Sequence, residues 1–178
     1  NIIVIPSTVG DKNLLYINAR AIYADSNVKT IVFQGRFNFT DNAIQNCSNL
    51  EKVWVNNTSK TFNTKTINNC NKIRFNEYKG LKYVGSHEKP YIFPMELDVN
   101  VDSVTIADEC YSVNSEVFKT DTKLKYIEVE NGNTSYLASG GILYENKDYL
   151  VYCVDENEKN KQRNKMLTKV NIFKRREK

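Results

Sequence analysis

The sequence predicts a right-handed β-rich repeat solenoid with short helical or turn-like segments on one face and β-hairpins inserted between turns. Three observations predict it: a motif that recurs at a fixed period, a strand-like alternation after each copy, and an Asn-rich composition. The motif is a small or β-branched residue, an apolar one, two variable positions, Cys or Asp, two more variable positions and an aliphatic. Its copies are Ala21-Ile22-x-x-Asp25-x-x-Val28, Ala43-Ile44-x-x-Cys47-x-x-Leu50, Thr66-Ile67-x-x-Cys70-x-x-Ile73 and Val117-Phe118-x-x-Asp121-x-x-Leu124. Successive starts are 22, 23 and 51 residues apart, and a repeated period of this size marks a stacked array.

After the closing aliphatic comes a second regularity, as in Val28/Ile31/Phe33, Leu50/Val53/Val55 and Leu124/Ile127/Val129. Val101/Val104/Ile106 and Leu167/Val170/Ile172 also fit it. Alternation over the last positions is the period of a half-buried strand. Each unit is then a helical or turn-like piece followed by one strand. A unit this short cannot bury its own apolar face, so neighbours must stack and equivalent residues form columns.

The composition agrees. At 178 residues and 40% hydrophobic content the chain has enough apolar material for a core. Its 24 Asn residues, with abundant Lys, Tyr, Ile and Thr, suit turns and strands better than long helices. The chain opens on Asn1 and a strand-like Ile2 to Ile5, which suggests an origin inside a larger protein, any signal peptide lying upstream. No stretch reaches the roughly 18 apolar residues of a membrane span.

Net charge is +4, unevenly placed: residues 159–178 carry nine Lys/Arg against the single acid Glu177, a local +8, leaving the preceding body at −4. A basic end is either a solvated terminus or an arm for an anionic partner, and no nucleic-acid-binding signature accompanies it. Cys47, Cys70, Cys110 and Cys153 contain no C-x-x-C pair, and the one histidine, His87, has no ligand spacing to them. A zinc site is therefore not expected, and no other metal or cofactor is. Cys47 and Cys70, one period apart, are read as small apolar fillers of stacked turns, with a disulfide as the alternative. Catalytic signatures such as G-x-S-x-G, H-E-x-x-H or a P-loop are missing from the sequence, so catalysis is not expected.

The long gap between the third and fourth motif copies contains Tyr78 to Phe93, in which Gly80, Gly85 and Pro90 punctuate two short aromatic strands. That spacing predicts a hairpin insertion over about residues 77–97. Gly140-Gly141-Ile142-Leu143-Tyr144, a polar turn and Tyr149-Leu150-Val151-Tyr152 predict a second, over about 140–153. The solenoid is thus assigned to residues 1–153 and a basic segment to 154–178. Within that segment 167–172 is expected to add a terminal strand capping the stack, with one face of a helix as the alternative.

The Ile5-Pro6-Ser7-Thr8-Val9 strand-to-turn signal, the Asn46-Cys47-Ser48-Asn49-Leu50 step, the Phe75-Asn76-Glu77-Tyr78 to Tyr91 insertion and the Gly141-Ile142-Leu143-Tyr144 hairpin together resemble the BspA-like leucine-rich repeats of bacterial and protist surface proteins. The resemblance spans most of residues 2–153. Pro follows only the first strand, Asp25 and Asp121 replace Cys, and Ile usually stands where the family has Phe. The resemblance implies extracellular or cell-surface display, adhesion to a host, neighbouring-cell or matrix protein, and no enzymatic activity. An intracellular protein–protein interaction scaffold of the same repeat is the alternative.

Binding in such a fold is expected on the open face of the sheet. If Ile31 and Phe33 point inward, the pleat sends Thr30 and Val32 outward. The same rule nominates Lys52 and Trp54, Thr105 beside Ser103, and Tyr126 and Glu128. Trp54, the single tryptophan, is the natural hot spot of that set. His87 falls in a polar hairpin tip where exposure is expected, and Tyr83, Tyr91, Tyr144, Tyr149 and Tyr152 read mainly as strand packing. N-x-[S/T] triplets at Asn38, Asn46, Asn56, Asn57 and Asn133 are given no function, because so Asn- and Thr-rich a chain produces them readily.

Overall fold

The computed structural model describes residues 1–55, 59, 61–119, 123–146 and 149–155. Strands of three or more residues are numbered here in chain order. β1 (Ile2–Ile5), β2 (Thr30–Phe33) and β3 (Lys52–Val55) form a parallel sheet in the order β1-β2-β3. Its register makes the columns Ile2-Thr30-Lys52, Ile3-Ile31-Val53, Val4-Val32-Trp54 and Ile5-Phe33-Val55. Alternate columns therefore point to opposite faces. Ile31, Phe33, Val53 and Val55 are buried, whereas Thr30, Val32, Lys52 and Trp54 are half-buried on the open face.

Among the described residues the motif that precedes each strand contains no α-helix. Ile22–Tyr23, Ile44–Gln45 and Ile67–Asn68 are two-residue strands that pair in parallel, as do Tyr16–Ile17 and Asn38–Phe39. In these three copies the turn-like form is adopted, whereas the fourth copy opens at Val117 inside a helical turn. The one helical piece among the described residues is a 3-10 turn at Ser115–Phe118, capped where the Asn114 side chain accepts from the Glu116 N–H at 2.9 Å. Together the elements form a β-solenoid of about five turns.

The Asn content has a structural use at the corners. Asn42, Asn46 and Asn69 have φ of 57°, 59° and 52°, left-handed values that Asn tolerates better than most residues. Corners one turn apart are tied by side chains: Asn69 Nδ2 donates to Asn46 Oδ1 at 2.8 Å, and Asn68 Nδ2 to Asn42 Oδ1 at 2.9 Å. Asn49 Nδ2 donates to the Ser26 carbonyl at 2.8 Å, and Lys72 Nζ to Asn49 Oδ1 at 2.6 Å.

Inside the corner, Cys47 and Cys70 are buried, unbonded to one another and stacked, with the Cys47 N–H pointing at Cys70 Sγ at 3.4 Å. Burial pushes the Cys70 thiol above its ordinary range. Asp25 takes the equivalent place in the first turn because its Oδ1 accepts from the N–H groups of Asn27 and Val28 at 2.7 and 3.1 Å, closing the turn from within. Asp121 lies outside the described residues.

Two cores fill the stack. The first holds Phe33, Phe37, Phe39, Phe62 and Phe93, whose rings meet in sequence with centroid distances of 5.0–6.1 Å, mostly edge-to-face. The second gathers Leu81, Tyr83, Val104, Ile106, Cys110, Phe118, Ile127 and Leu143. Between them lies an antiparallel sheet, β4 (Asn76–Tyr78), β5 (Leu81–Val84) and β6 (Phe93–Leu97), in the order β4-β5-β6. β5 faces both ways: Val84 joins the first core, Leu81 and Tyr83 the second. The segment is thus a hairpin plus a returning edge strand, which explains how Pro94 fits a strand without disrupting a ladder.

Parallel pairing resumes with β7 (Ser103–Ile106) and β8 (Tyr126–Val129), register Val104–Ile127 and Ile106–Val129. A second antiparallel sheet follows, β9 (Tyr136–Ser139), β10 (Ile142–Glu145) and β11 (Tyr149–Cys153), ordered β9-β10-β11. Here too a third strand accompanies the two that the spacing signals. The possible terminal element at 167–172 and the basic segment beyond 155 lie outside the described residues. No helix among the described residues is long and apolar enough to cross a membrane.

Candidate functional site

The open face of the first sheet is built from two outward columns. One runs Ile2, Thr30, Lys52 and continues to Asn76; the other runs Val4, Val32, Trp54 and ends at His87. Ile2 and Val4 are 67% and 48% exposed, so the columns begin with apolar residues in contact with solvent. Trp54 bridges in parallel to Gly85 and meets the His87 ring edge-on, centroids 5.6 Å apart. His87 is exposed, as its hairpin-tip sequence suggests, yet its ring closes the apolar column.

Lys52 is the half-buried cation of this face. Its Nζ donates to Asn76 Oδ1 at 2.6 Å. Asn76 is itself fixed, because its Nδ2 donates to the Pro90 carbonyl at 2.9 Å. Desolvation lowers the Lys52 ammonium below its ordinary range. No carboxylate among the described residues lies within ion-pair distance of it, although Glu51, its neighbour in sequence, points to the other side and pairs with Lys29 and Arg74 at 3.7 and 3.9 Å.

The second parallel pair presents Thr105 and Glu128 in one column and Ser103 and Tyr126 in the next. Tyr126 is 61% exposed and Glu128 is exposed, while Thr105 is half-buried. Beside them a shallow groove of about 400 Å³ is lined by Lys79, Thr105, Glu128, Glu130 and Ala138. Glu130 anchors its wall, accepting from the Tyr78 hydroxyl at 2.6 Å and from Lys79 Nζ. The Lys79 ammonium, then the Tyr78 hydroxyl, hold the Glu130 carboxyl below the usual carboxylate range. A larger groove of about 710 Å³ opens where the 22–23-residue rhythm stops, lined by Ile67, Cys70, Ile73, Phe75, Lys82, Met95 and Glu96 among others.

All seven residues nominated from the pattern therefore lie on sheet faces turned away from the cores, four on the first sheet and three on the second pair. The pattern reasoning missed Val4, Asn76 and His87. Val4 stands 28 residues before Val32, whereas Val32 and Trp54 are 22 apart. The difference arises where the hairpin of Thr8–Val9 with Lys12–Asn13 lengthens the first turn. Asn76 and His87 belong to the insertion, and their spacing to Lys52 and Trp54 follows no repeat.

All four cysteines are buried and form no disulfide, and burial pushes the Cys110 thiol far up, away from the reactive thiolate. Among the described residues no group of three or more His, Cys, Asp or Glu is arranged to hold a metal ion.

In-register parallel strands at a 22–23-residue period, polar corner ladders and apolar inner columns define a leucine-rich-repeat solenoid. The family model for the BspA type leucine rich repeat region matches six copies over residues 3–87 and 90–140, and the chain belongs to this family. Comparison with curated proteins and with solved structures finds no match. Membership makes the chain a repeat module of a protein-binding kind, typically a non-catalytic scaffold, in a family commonly associated with surfaces.

Proposed function

We propose that this chain is an extracellular adhesion module that holds a host, neighbouring-cell or matrix protein on the open face of its parallel sheets. One observation carries the reading. The face presents an unbroken column of Val4, Val32 and Trp54 beside polar Thr30 and Lys52, an apolar centre with a polar border of the kind that concentrates binding energy. Thr105, Tyr126 and Glu128 offer a second, more polar patch. No step of catalysis is required of any residue, and no cofactor is invoked.

The test has two arms. Antibody labelling of intact producing cells should detect the chain without permeabilisation. Beads coated with the chain should attach to a target-cell or matrix layer, and Trp54→Ala should reduce attachment by about tenfold or more, the effect of a hot-spot residue. Labelling only after permeabilisation, or attachment unaffected by Trp54→Ala, overturns the reading. The four unpaired cysteines favour a second reading, an intracellular scaffold, because thiols persist most readily in reducing compartments. Under it the labelling arm gives the opposite result while the Trp54 dependence of partner binding is retained.

A further inference from the structure

An ammonium group has three donors and no acceptor, and burying part of it is unfavourable unless a partner compensates. Lys52 Nζ makes one hydrogen bond among the described residues, to the neutral Asn76 Oδ1. Asn76 is locked from behind by the Pro90 carbonyl, so the ammonium is held in place on the sheet rather than left to swing into water. On this part of the chain Lys29 and Arg74 pair with Glu51, Lys79 with Glu130, and Lys82 with Glu96 and Asp98, whereas the exposed Lys72 rests, like Lys52, on an amide oxygen, that of Asn49. Lys52 differs from Lys72 in being half-buried and in sitting beside the apolar column.

Building on the reading of this face as a protein-binding surface, we infer that the first three turns take an extended segment of a partner protein carrying an Asp or Glu two residues from an aliphatic or aromatic residue. The carboxylate lies on the Lys52 ammonium and the apolar side chain on Val32 and Trp54. Charge complementarity selects this occupant: a fixed, half-buried cation without its own counter-ion is completed by an anion, and a basic segment would be repelled. Geometry adds the spacing. Lys52 and Trp54 are two residues apart on one strand, roughly 6.6 Å, which equals the distance between side chains i and i+2 on one face of an extended partner. Thr30, directly beside Lys52 in the same column, supplies a hydroxyl to the second carboxylate oxygen.

The experiment titrates the chain with acetyl-Glu-Thr-Leu-Thr-Leu-amide and with the same peptide carrying Gln for Glu, reading the emission of Trp54, the single tryptophan. The Glu peptide is expected to bind about tenfold more tightly than the Gln peptide, the ratio that one charge-assisted hydrogen bond supplies. Lys52→Met should bring that ratio to about one, and Lys52→Arg should keep it, with circular dichroism confirming that both variants fold. Equal affinities for the two peptides on the native chain, unchanged in Lys52→Met, would overturn the acidic-partner inference while leaving the protein-binding face intact. Binding of neither peptide also overturns it, and the bead assay then judges the face on its own.

Discussion

Gly85→Ala tests how tightly the antiparallel insertion is riveted to the parallel stack. A Cβ at Gly85 would lie 2.2 Å from the Lys89 carbonyl oxygen and 2.6 Å from the carbonyl carbon and oxygen of Pro90. All three are backbone atoms, so no side-chain rotation relieves the clash. One strand of the loop must move by about 1 Å to reach van der Waals contact. Two backbone hydrogen bonds depend on this packing: Val55 N–H to the Gly85 carbonyl at 3.0 Å and Ser86 N–H to the Lys89 carbonyl at 2.7 Å. Each is worth about 1 kcal/mol net, and overpacking adds about 1–3 kcal/mol. The expected loss is therefore about 3–5 kcal/mol. Urea denaturation followed by Trp54 emission is the assay, since Trp54 bridges Gly85 directly. Gly140→Ala is the control: open space surrounds its Cβ, but φ is +57°, so it should lose only about 1–2 kcal/mol. If Gly85→Ala costs no more than Gly140→Ala, the steric argument is wrong.

Three further predictions follow from the cores and corners. Phe33→Ala removes a fully buried ring that touches Phe37 and Phe39 and should destabilise by about 3–5 kcal/mol, measured by the same denaturation curves. Cys47→Ala should cost only about 1 kcal/mol because the thiol fills volume, and mass spectrometry of unreduced protein should find no Cys47–Cys70 crosslink; its presence would contradict the stacked-thiol geometry. Burial holds the Tyr83 and Tyr136 hydroxyls protonated far above the ordinary phenol value. Their contribution is complete below pH about 10 and declines as pH rises beyond it, because the unfolded chain ionises first. Two tyrosines should thus resist titration at 295 nm until the chain unfolds, and smooth ionisation of all of them near pH 10 would argue against the burial.

The strand half of the repeat was legible because two periods coincide in it. Ile31 and Phe33 alternate with Thr30 and Val32, and Val53 and Val55 repeat the arrangement 22 residues later, so inside and outside could be assigned from spacing. The other half repeats its motif at the same period but carries no alternation that fixes its secondary structure. Ile22–Tyr23 and its successors are two residues long, too short for alternation to separate a strand from a helical turn. Phe37 and Phe62 join the ring stack from irregular connections and Phe39 from a two-residue strand, where position is set by tertiary contact rather than period. Pro94 lies within the predicted hairpin and sits on an edge strand, where proline is tolerated. His87 meets Trp54 across 33 residues, and nothing local announces that pairing. The Lys52–Asn76 bond joins the parallel sheet to the antiparallel insertion, and no repeat spacing announces it.

Which residues meet a partner depends on the register of β2 and β3, and a crosslink measures it directly. A Val32→Cys/Trp54→Cys variant, treated with a short bis-maleimide, should link efficiently within one chain, since the two positions are opposite partners on the open face. Val32→Cys/Val53→Cys should not link, because Val53 is buried and points into the core. Efficient linking of the second pair and none of the first would mean a strand shifted by one residue, with Trp54 turned inward and the proposed binding face dissolved.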